Sequence, residues 1–359
     1  MSAASAAASP ASPHPHDGLL GLPPLTAADF AAVERGVAAL LSTGDDVVIM
    51  QGEALLPLEA CIRGAARPGS TALNIVTGPY GTTFGGWLRD AGAKVVDLAV
   101  PFDSAVAAEQ VARALKAHPE IDFVSLVHAE AATGNTNPVA EIGEVVRDGG
   151  ALFMLDAVAS VAAEPLLPQQ WGVDLCVIGG QKAMGGPAGV SAVTVSERAW
   201  QRIAANPAAP RRSYLSLLDW KERWIDGGRR TLPHAPAQLE MLALDACMAR
   251  IAQEGLDAVI ARHRAAAAAA REGALDLGLS PFVSEAAHAA PVATTVRTPQ
   301  GMHAGELVAA ALAADPGVPL AAGGGALASE MLRINHYGAD ATLPTITRTL
   351  SALSAALHR

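Results

Sequence analysis

The sequence is poor in the features that mark secreted, membrane-bound or nucleic-acid-binding proteins. It has only three cysteines, which lie far apart among apolar residues and lack metal-ligand spacing, so we expect reduced core thiols and a cytoplasmic protein. No apolar run reaches the ~20 residues that cross a bilayer, and the N-terminus lacks the basic start and apolar core of a signal peptide. The net charge of -10 disfavours nucleic acid as a partner, and no basic helix indicates a membrane surface.

The chain is also poor in aromatic residues, at 4%, and in charged residues, at 17%, while 51% of its residues are hydrophobic. This balance fits a compact protein with a large core, and the length allows about two or three domain-sized units. Residues 1–25 are rich in alanine, serine and proline, which predicts a disordered tail. His14 and His16 in this tail make a poor metal site, so we predict no metal centre.

Short apolar strands alternate with helical patterns from residue 26 onward, beginning with a helix at 26–41 that Thr26 caps. This alternation predicts an α/β fold in which a mostly parallel sheet, covered on both faces, binds ligands at the carboxyl ends of its strands. We expect a large domain at 26–250 and a small α+β domain at 251–359, linked by alanine-rich helices that break at Gly255. The main strands are predicted at residues 47–50, 72–76, 94–98, 123–127, 152–156, 175–178 and 190–195, and further helices at 85–91, 104–117 and 304–314.

Two of these strands are followed by residues that carry chemistry. One ends in Asp156, and the next leads to a glycine-flanked lysine, Lys182. Taken singly, Asp156 is explained as a turn cap and Lys182 as a solvated lysine. Residues 178–187 hold no other charge, however, so the lysine is expected to point into a pocket. A lysine that forms a Schiff base and an acid that keeps a pyridine nitrogen protonated are the pair that a pyridoxal-type cofactor requires.

The same residues carry a family resemblance. Asp156-Ala157-Val158-Ala159-Ser160 and the run from Gly180 to Gly189 (GQKAMGGPAG) resemble the class V, fold-type I aminotransferases of the alanine-glyoxylate and serine-glyoxylate kind. The resemblance extends from about residue 45 to the C-terminus. It implies a homodimer with a seven-stranded-type sheet and pyridoxal 5'-phosphate on Lys182, with Gln181 among the cofactor-binding residues. It further implies transfer of an amino group from a small amino acid, such as alanine or serine, to pyruvate or glyoxylate.

Three more residues match motifs of this family. Tyr80, in the glycine-flanked turn at residues 77–85, is similar to the aromatic residue that stacks on the pyridine ring. Thr133 lies in HAEAATG, where Ala132 replaces a family serine, so a hydroxyl contact to the cofactor falls to Thr133 or is absent. Arg333, on a predicted strand, resembles the arginine that holds the carboxylate of the amino or keto acid, for which its bidentate geometry is suited.

The chain departs from the family where a cofactor phosphate is expected. The strand at 47–50, the turn Gly52-Glu53-Ala54 and the following helix form an anion-binding arrangement, but a carboxylate at Glu53 would repel a phosphate. As an alternative, Glu53 is a helix-capping charge. The turn is similar to that of the pyridoxamine-pyruvate transaminase branch, which takes unphosphorylated pyridoxal or pyridoxamine as substrate. Ala235 also stands where many relatives have a phosphate-binding threonine.

Other departures leave further alternatives open. The segment at 19–24 is at most a remnant of the arm that closes the family's substrate pocket, and the glycine run at 323–325 stands where the pyridoxamine-pyruvate branch has a second arginine. The fold also supports lyases and desulfurases, although a desulfurase needs a reactive cysteine. A weakly active protein that only binds vitamin B6 is the remaining alternative.

Overall fold

The computed structural model describes residues 16–358, so most of the predicted tail at 1–25 lies outside the described residues. Twelve strands are present within this range. They are β1 (Asp46–Met50), β2 (Thr71–Val76), β3 (Lys94–Ala99), β4 (Ile121–Val127), β5 (Ala129–Glu130), β6 (Asn135–Thr136), β7 (Leu152–Asp156), β8 (Leu175–Gly179), β9 (Ser191–Val195), β10 (Ala293–Arg297), β11 (Leu320–Ala322) and β12 (Met331–Asn335).

Eleven α-helices surround the strands in the described part of the chain. They are α1 (Ala27–Leu40), α2 (Leu55–Ala65), α3 (Pro79–Asp90), α4 (Ala108–Ala117), α5 (Val139–Asp148), α6 (Glu197–Ala204), α7 (Leu217–Trp220), α8 (Gln238–Glu254), α9 (Leu256–Asp276), α10 (Ala304–Ala314) and α11 (Leu343–Leu357). Among residues 16–358, none of these helices is both long enough and apolar enough to cross a membrane.

Seven strands form one sheet in the order β1-β9-β8-β7-β4-β2-β3. The pairs β2–β3, β2–β4, β4–β7 and β7–β8 are parallel, whereas β9 runs antiparallel to both β8 and β1. Every residue of β2, β7, β8 and β9 is buried, because helices cover both faces of the sheet. The predicted α/β fold with a mostly parallel sheet is thus confirmed.

Local sequence signals account for the ends of α1 and of the two long helices. Thr26 caps α1, its hydroxyl accepting from the backbone N–H of Asp29 at 3.2 Å, as predicted. The predicted break at Gly255 separates α8 from α9, and its φ of 89° lies in a region that favours glycine. The domain boundary predicted at residue 250 falls inside α8 and stays a prediction.

Two helices begin at residues other than those predicted. Helix α3 begins at Pro79, not at residue 85, because the fixed φ of proline suits the first helical position and the buried Glu130 carboxyl accepts from the N–H of Gly81 at 3.4 Å. Helix α4 begins at Ala108, not at residue 104. The side chain of Asn137 accepts from the N–H of Val106 at 3.0 Å and holds this segment as a loop.

A smaller antiparallel sheet, in the order β10-β12-β11, packs with α9, α10 and α11 around its own apolar cluster. The larger cluster fills the seven-stranded sheet and its helices. Cys61, Cys176 and Cys247 are free and buried, as predicted, and burial raises the pKa of each thiol. A thiol with a raised pKa is a poor nucleophile, which does not fit the reactive cysteine of a desulfurase.

Candidate active site

The candidate site lies at the carboxyl ends of β7 and β8. Asp156 is the last residue of β7, and Lys182 follows the end of β8 in a turn formed by residues 180–186, here called the lysine turn. Because β7 and β8 are adjacent and parallel, their ends bring these residues to one edge of the sheet. A cavity of about 110 Å³ opens there and is lined by Glu53, Ala54, Leu55, Leu58, Tyr80, Ala129, Ala131, Asp156, Val158, Ala159, Gln181 and Lys182.

The Asp156 carboxyl is fixed and desolvated. Its side chain accepts from the N–H of Val158 at 3.0 Å, and its carbonyl accepts from the N–H of His128 at 2.8 Å. Burial raises the pKa of Asp156 to about 7, with a smaller contribution from the Glu53 charge, while the Val158 hydrogen bond and Lys182 oppose the shift. A cationic partner in the cavity would therefore draw Asp156 into its ionised form.

Lys182 is held by a compact backbone turn. The N–H of Gly186 donates to the carbonyl of Gly180 at 2.7 Å, and the N–H of Gly185 donates to that of Lys182 at 2.9 Å. The lysine Nζ donates to the hydroxyl of Tyr337 at 3.5 Å and lies 4.9 Å from the centre of that ring. Of the described residues that line the cavity, Lys182 is the one cation.

Tyr80 reaches the cavity from the first turn of α3. This turn lies close to β2, since a Cβ atom on Gly81 would stand 2.9 Å from the carbonyl oxygen of Ile75. The Tyr80 side chain is 36% exposed. Desolvation raises its pKa, with smaller contributions from nearby acids that include Asp156 and Glu53. The Tyr80 phenol is therefore neutral. Its ring adds an aromatic surface to the cavity that Asp156 and Lys182 also line.

Glu53 also lines the cavity and stands just before the start of α2. Its carboxylate accepts from the N–H of Leu55 at 2.9 Å and from the side-chain amide of Gln181 at 2.8 Å. The carbonyl of Gly52 accepts from the hydroxyl of Ser191 at 2.9 Å, and Gly52 does not itself line the cavity. The negative side chain thus takes up N–H groups that an anionic ligand would otherwise bind.

Besides Gly52, two predicted residues do not line the cavity. Arg333 is half-buried on β12 and donates to the carbonyl of the lining residue Ala131 at 3.5 Å, while its buried Nε has no partner among the described residues. Thr133 is buried, and its hydroxyl donates to the side chain of Asn135 at 3.3 Å. Their roles in binding substrate and cofactor stay predictions.

Two residues at the site were not predicted. Glu130 is fully buried beneath the start of α3, and a Cβ atom on Gly78 would lie 2.3 Å from its carboxyl carbon. Tyr337 follows β12 and extends to Lys182. Glu130 lies in the recognised motif HAEAATG, which does not indicate where its side chain points, and Tyr337 lies in no motif identified in the sequence.

A larger cavity of about 510 Å³ lies between α9 and the loop that precedes β10. It is less suitable as the reaction site because no lysine lines it. No group of three or more potential metal ligands was found within residues 16–358.

Comparison with known proteins finds one family along most of the chain. The sequence pattern of the family described as aminotransferase class-V matches residues 26–343. Pyridoxamine–pyruvate transaminase of Mesorhizobium japonicum is 37% identical over 311 residues, which is 87% of this chain and 78% of that enzyme. Alanine–glyoxylate aminotransferase of Drosophila melanogaster is 28% identical over 330 residues, which is 91% of this chain and 83% of the relative.

A solved structure extends the likeness to the fold. The crystal structure of pyridoxamine-pyruvate aminotransferase from Mesorhizobium loti superposes with a TM-score of 0.89 at 35% identity, covering 92% of this chain and 84% of that one. The seven-stranded sheet and the small antiparallel sheet are those of fold-type I enzymes. The chain therefore belongs to the class-V aminotransferases, a family that implies dependence on pyridoxal phosphate, and it is an aminotransferase.

Proposed function

We propose that this aminotransferase moves an amino group between an unphosphorylated vitamin B6 vitamer and a small keto acid such as pyruvate. The observation that carries the proposal is the Glu53 carboxylate, which lines the cavity and accepts from the first turn of α2. The Mesorhizobium enzyme named for pyridoxamine and pyruvate is the relative that supports it.

Electrostatics favours a vitamer without phosphate. Two like charges about 4 Å apart repel by about 4 kcal/mol at the effective dielectric of a protein surface, and a phosphate carries more than one charge. Lys182 is the one cation lining the cavity among the described residues, and its amine is predicted to bind the aldehyde carbon of the vitamer, not a phosphate. A hydroxymethyl group, by contrast, can donate a hydrogen bond to the Glu53 carboxylate.

The residues present fit a pyridoxal ring. A bound vitamer supplies an aldehyde or amine carbon and an electron-accepting ring. Asp156 would pair with the ring nitrogen, Tyr80 would lie against the ring face, and Lys182 would take up and return the proton that moves during amino transfer. Arg333 would hold the substrate carboxylate, which would satisfy its unpaired Nε.

The main alternative is an enzyme that retains pyridoxal 5'-phosphate and transfers the amino group of an alanine-type donor to glyoxylate or pyruvate. The arrangement of β1, the turn at Gly52 and α2 favours it, because a helix start after a strand binds anions. A lyase and a weakly active vitamer-binding protein use the same residues and are separated by the assay below.

The deciding experiment titrates the cofactor-free protein with pyridoxal and, separately, with pyridoxal 5'-phosphate, following the absorbance of the lysine-bound aldehyde. We expect the wild-type protein to prefer pyridoxal and Glu53→Gln to gain about tenfold or more in affinity for the phosphate ester. Lys182→Ala should abolish the band with either ligand. Glu59→Gln is the matched control, because Glu59 lies on the same helix but pairs with Arg63 at 3.1 Å.

The outcomes separate the candidates. Tight binding of the phosphate ester by the wild-type protein would leave Glu53 as a helix cap and favour the cofactor-retaining enzyme. A Lys182-dependent band without amino transfer from pyridoxamine to any keto acid would indicate a lyase or a binding protein. Formation of pyridoxal and alanine from pyridoxamine and pyruvate is the result that supports the proposal.

We further propose a homodimer whose partner covers the mouth of the cavity. Leu55 and Tyr80 both line the cavity, yet they are 40% and 36% exposed in the single chain. A second subunit at this mouth would remove these apolar surfaces from water. Sedimentation of the purified protein tests this, and a monomer at micromolar concentration would contradict it. The cytoplasmic location expected from the sequence stays a prediction.

A further inference from the structure

Tyr337 contacts Lys182 from the other domain. Its hydroxyl lies 3.5 Å from the lysine Nζ, and the Nζ stands 4.9 Å from the ring centre. The ring packs against a cluster of buried small residues that includes Ala159 and Ala183. The lysine amine therefore has a polar partner and an aromatic face on the same side chain, both supplied by the small domain.

The backbone around this contact is built to hold it. A Cβ atom on Gly338 would lie 2.5 Å from the Cα of Gly185, so the lysine turn and the chain beside Tyr337 touch through two glycines. Arg250 donates to the carbonyl of Gly185 at 3.2 Å, and Arg262 donates to that of Gly338 at 2.8 Å. These arginines come from α8 and α9, so the helices that link the domains brace both sides of the contact.

We propose that Tyr337 is a positioning residue for the reaction and holds the free amine of Lys182 in both of its protonation states. The inference rests on the proposed function in one respect only, that Lys182 is released and moves a proton during the reaction. The hydrogen bond to Tyr337 and the face of its ring fix the position of the released Lys182 amine.

The hydroxyl is suited to this task because it both donates and accepts. It accepts a hydrogen bond from a protonated amine and donates one to the lone pair of a neutral amine. A backbone carbonyl can only accept, so it would leave the lone pair of the neutral amine without a partner. The bond also occupies the lone pair of the neutral amine, which must be released before the amine can react with another molecule.

The first test needs no cofactor and no turnover. The cofactor-free protein is acylated with acetic anhydride at neutral pH, and the initial rate at Lys182 is measured by peptide mass spectrometry, with the exposed Lys116 as internal reference. Tyr337→Phe keeps the ring and removes the hydroxyl, and we expect Lys182 to react about two- to tenfold faster. An unchanged or slower rate relative to Lys116 would overturn the proposal.

A thermal-unfolding cycle guards against a general loss of structure. The melting temperature is compared for the wild type, Tyr337→Phe, Lys182→Met and the double variant. If the contact exists, the tyrosine substitution lowers the melting temperature less when Lys182 is already replaced, because part of its effect has been removed. Equal effects in the two backgrounds would mean that the residues are not coupled, and would contradict the proposal.

Turnover supplies the last test. With an amino donor deuterated at the carbon that loses its hydrogen, Tyr337→Phe should lower kcat about tenfold, leave KM within about twofold and increase the isotope effect, because proton transfer becomes slower. A loss of activity without a larger isotope effect would assign Tyr337 a purely structural role. If the wild type transfers an amino group with neither the unphosphorylated vitamer nor its phosphate ester, the proposed function fails. The acylation result still decides whether Tyr337 holds Lys182.

Discussion

Two parts of the cavity lining are built in different ways. Asp156 and Lys182 lie at and after the ends of adjacent parallel strands and are held by backbone hydrogen bonds. Glu53 is exposed and is held by the side chain of Gln181 and one N–H of α2. The part held by the backbone keeps the family motif, and Glu53 departs from it.

This difference means that one set of residues determines the reaction and another determines which ligand is bound. The position of Asp156 and Lys182 depends on the order of β7 and β8 in the sheet, which a point mutation does not alter. The charge at the start of α2 depends on Glu53 alone. We therefore expect substitutions of Asp156 or Lys182 to abolish the chemistry, and substitutions of Glu53 to change which vitamer is used.

The largest effect is expected for Lys182→Ala. The substitution removes the amine that binds the aldehyde and moves the proton, so turnover with pyridoxamine and pyruvate should fall by at least about 10⁴-fold. The measurement is steady-state formation of pyridoxal, and Lys116→Ala is the control because Lys116 is exposed on α4. Substantial activity in Lys182→Ala would mean that Lys182 does not carry the reaction.

A smaller loss is expected for Asp156→Asn. The amide oxygen can still accept from the N–H of Val158, so the fold at the end of β7 should be preserved. The amide cannot become anionic to stabilise a protonated ring nitrogen, and kcat should fall about 10²- to 10³-fold. Titration with pyridoxal should still give the Lys182-dependent absorbance. Equal loss of binding and turnover would show that Asp156 has a structural role instead.

The sequence predicted more of the backbone than of the side-chain contacts. The positions of the strands follow from short apolar runs that alternate with helical patterns, and the cap at Thr26 is a local signal. Glu53 meets Gln181 across 128 positions, and Lys182 meets Tyr337 across 155. Such contacts depend on how distant segments pack, so no local pattern reveals them. The predicted start of α3 is wrong in part for the same reason, since Glu130 from a distant strand reaches its N-terminus, although Pro79 is a local signal for that start.

An intermediate effect, confined to substrate binding, is expected for Arg333→Lys. Lysine keeps the charge but loses the planar pair of donors that suits a carboxylate. The KM for pyruvate should rise about tenfold or more, while kcat should change less. Arg348→Lys is the control, because Arg348 is exposed on α11 and pairs with Asp315 at 2.7 Å. A change in kcat alone would contradict the assignment of Arg333 to the carboxylate.

The smallest effect on activity is expected for Glu130→Gln, which compares a buried acid with the exposed Glu53. Burial, with a smaller contribution from Asp156, raises the pKa of Glu130 to about 8 from its ordinary value of 4.5. Below pH 4.5 the side chain is protonated in both folded and unfolded chains. Between pH 4.5 and 8 only the unfolded chain ionises, so this residue lowers the stability of the wild type progressively as the pH rises.

Glutamine cannot ionise, and its oxygen can still accept from the N–H of Gly81. The free energy of unfolding of cofactor-free Glu130→Gln, minus that of the wild type, should therefore grow from pH 4.5 to 8 and then level off. Any cost of the new amide group shifts this difference by a constant and does not change its slope. Denaturant unfolding across this range measures the difference, with Glu59→Gln as the control that should show no such trend. Parallel curves would mean that Glu130 is already ionised in the folded protein, so that the start of α3 would hold a second buried anion beside Asp156.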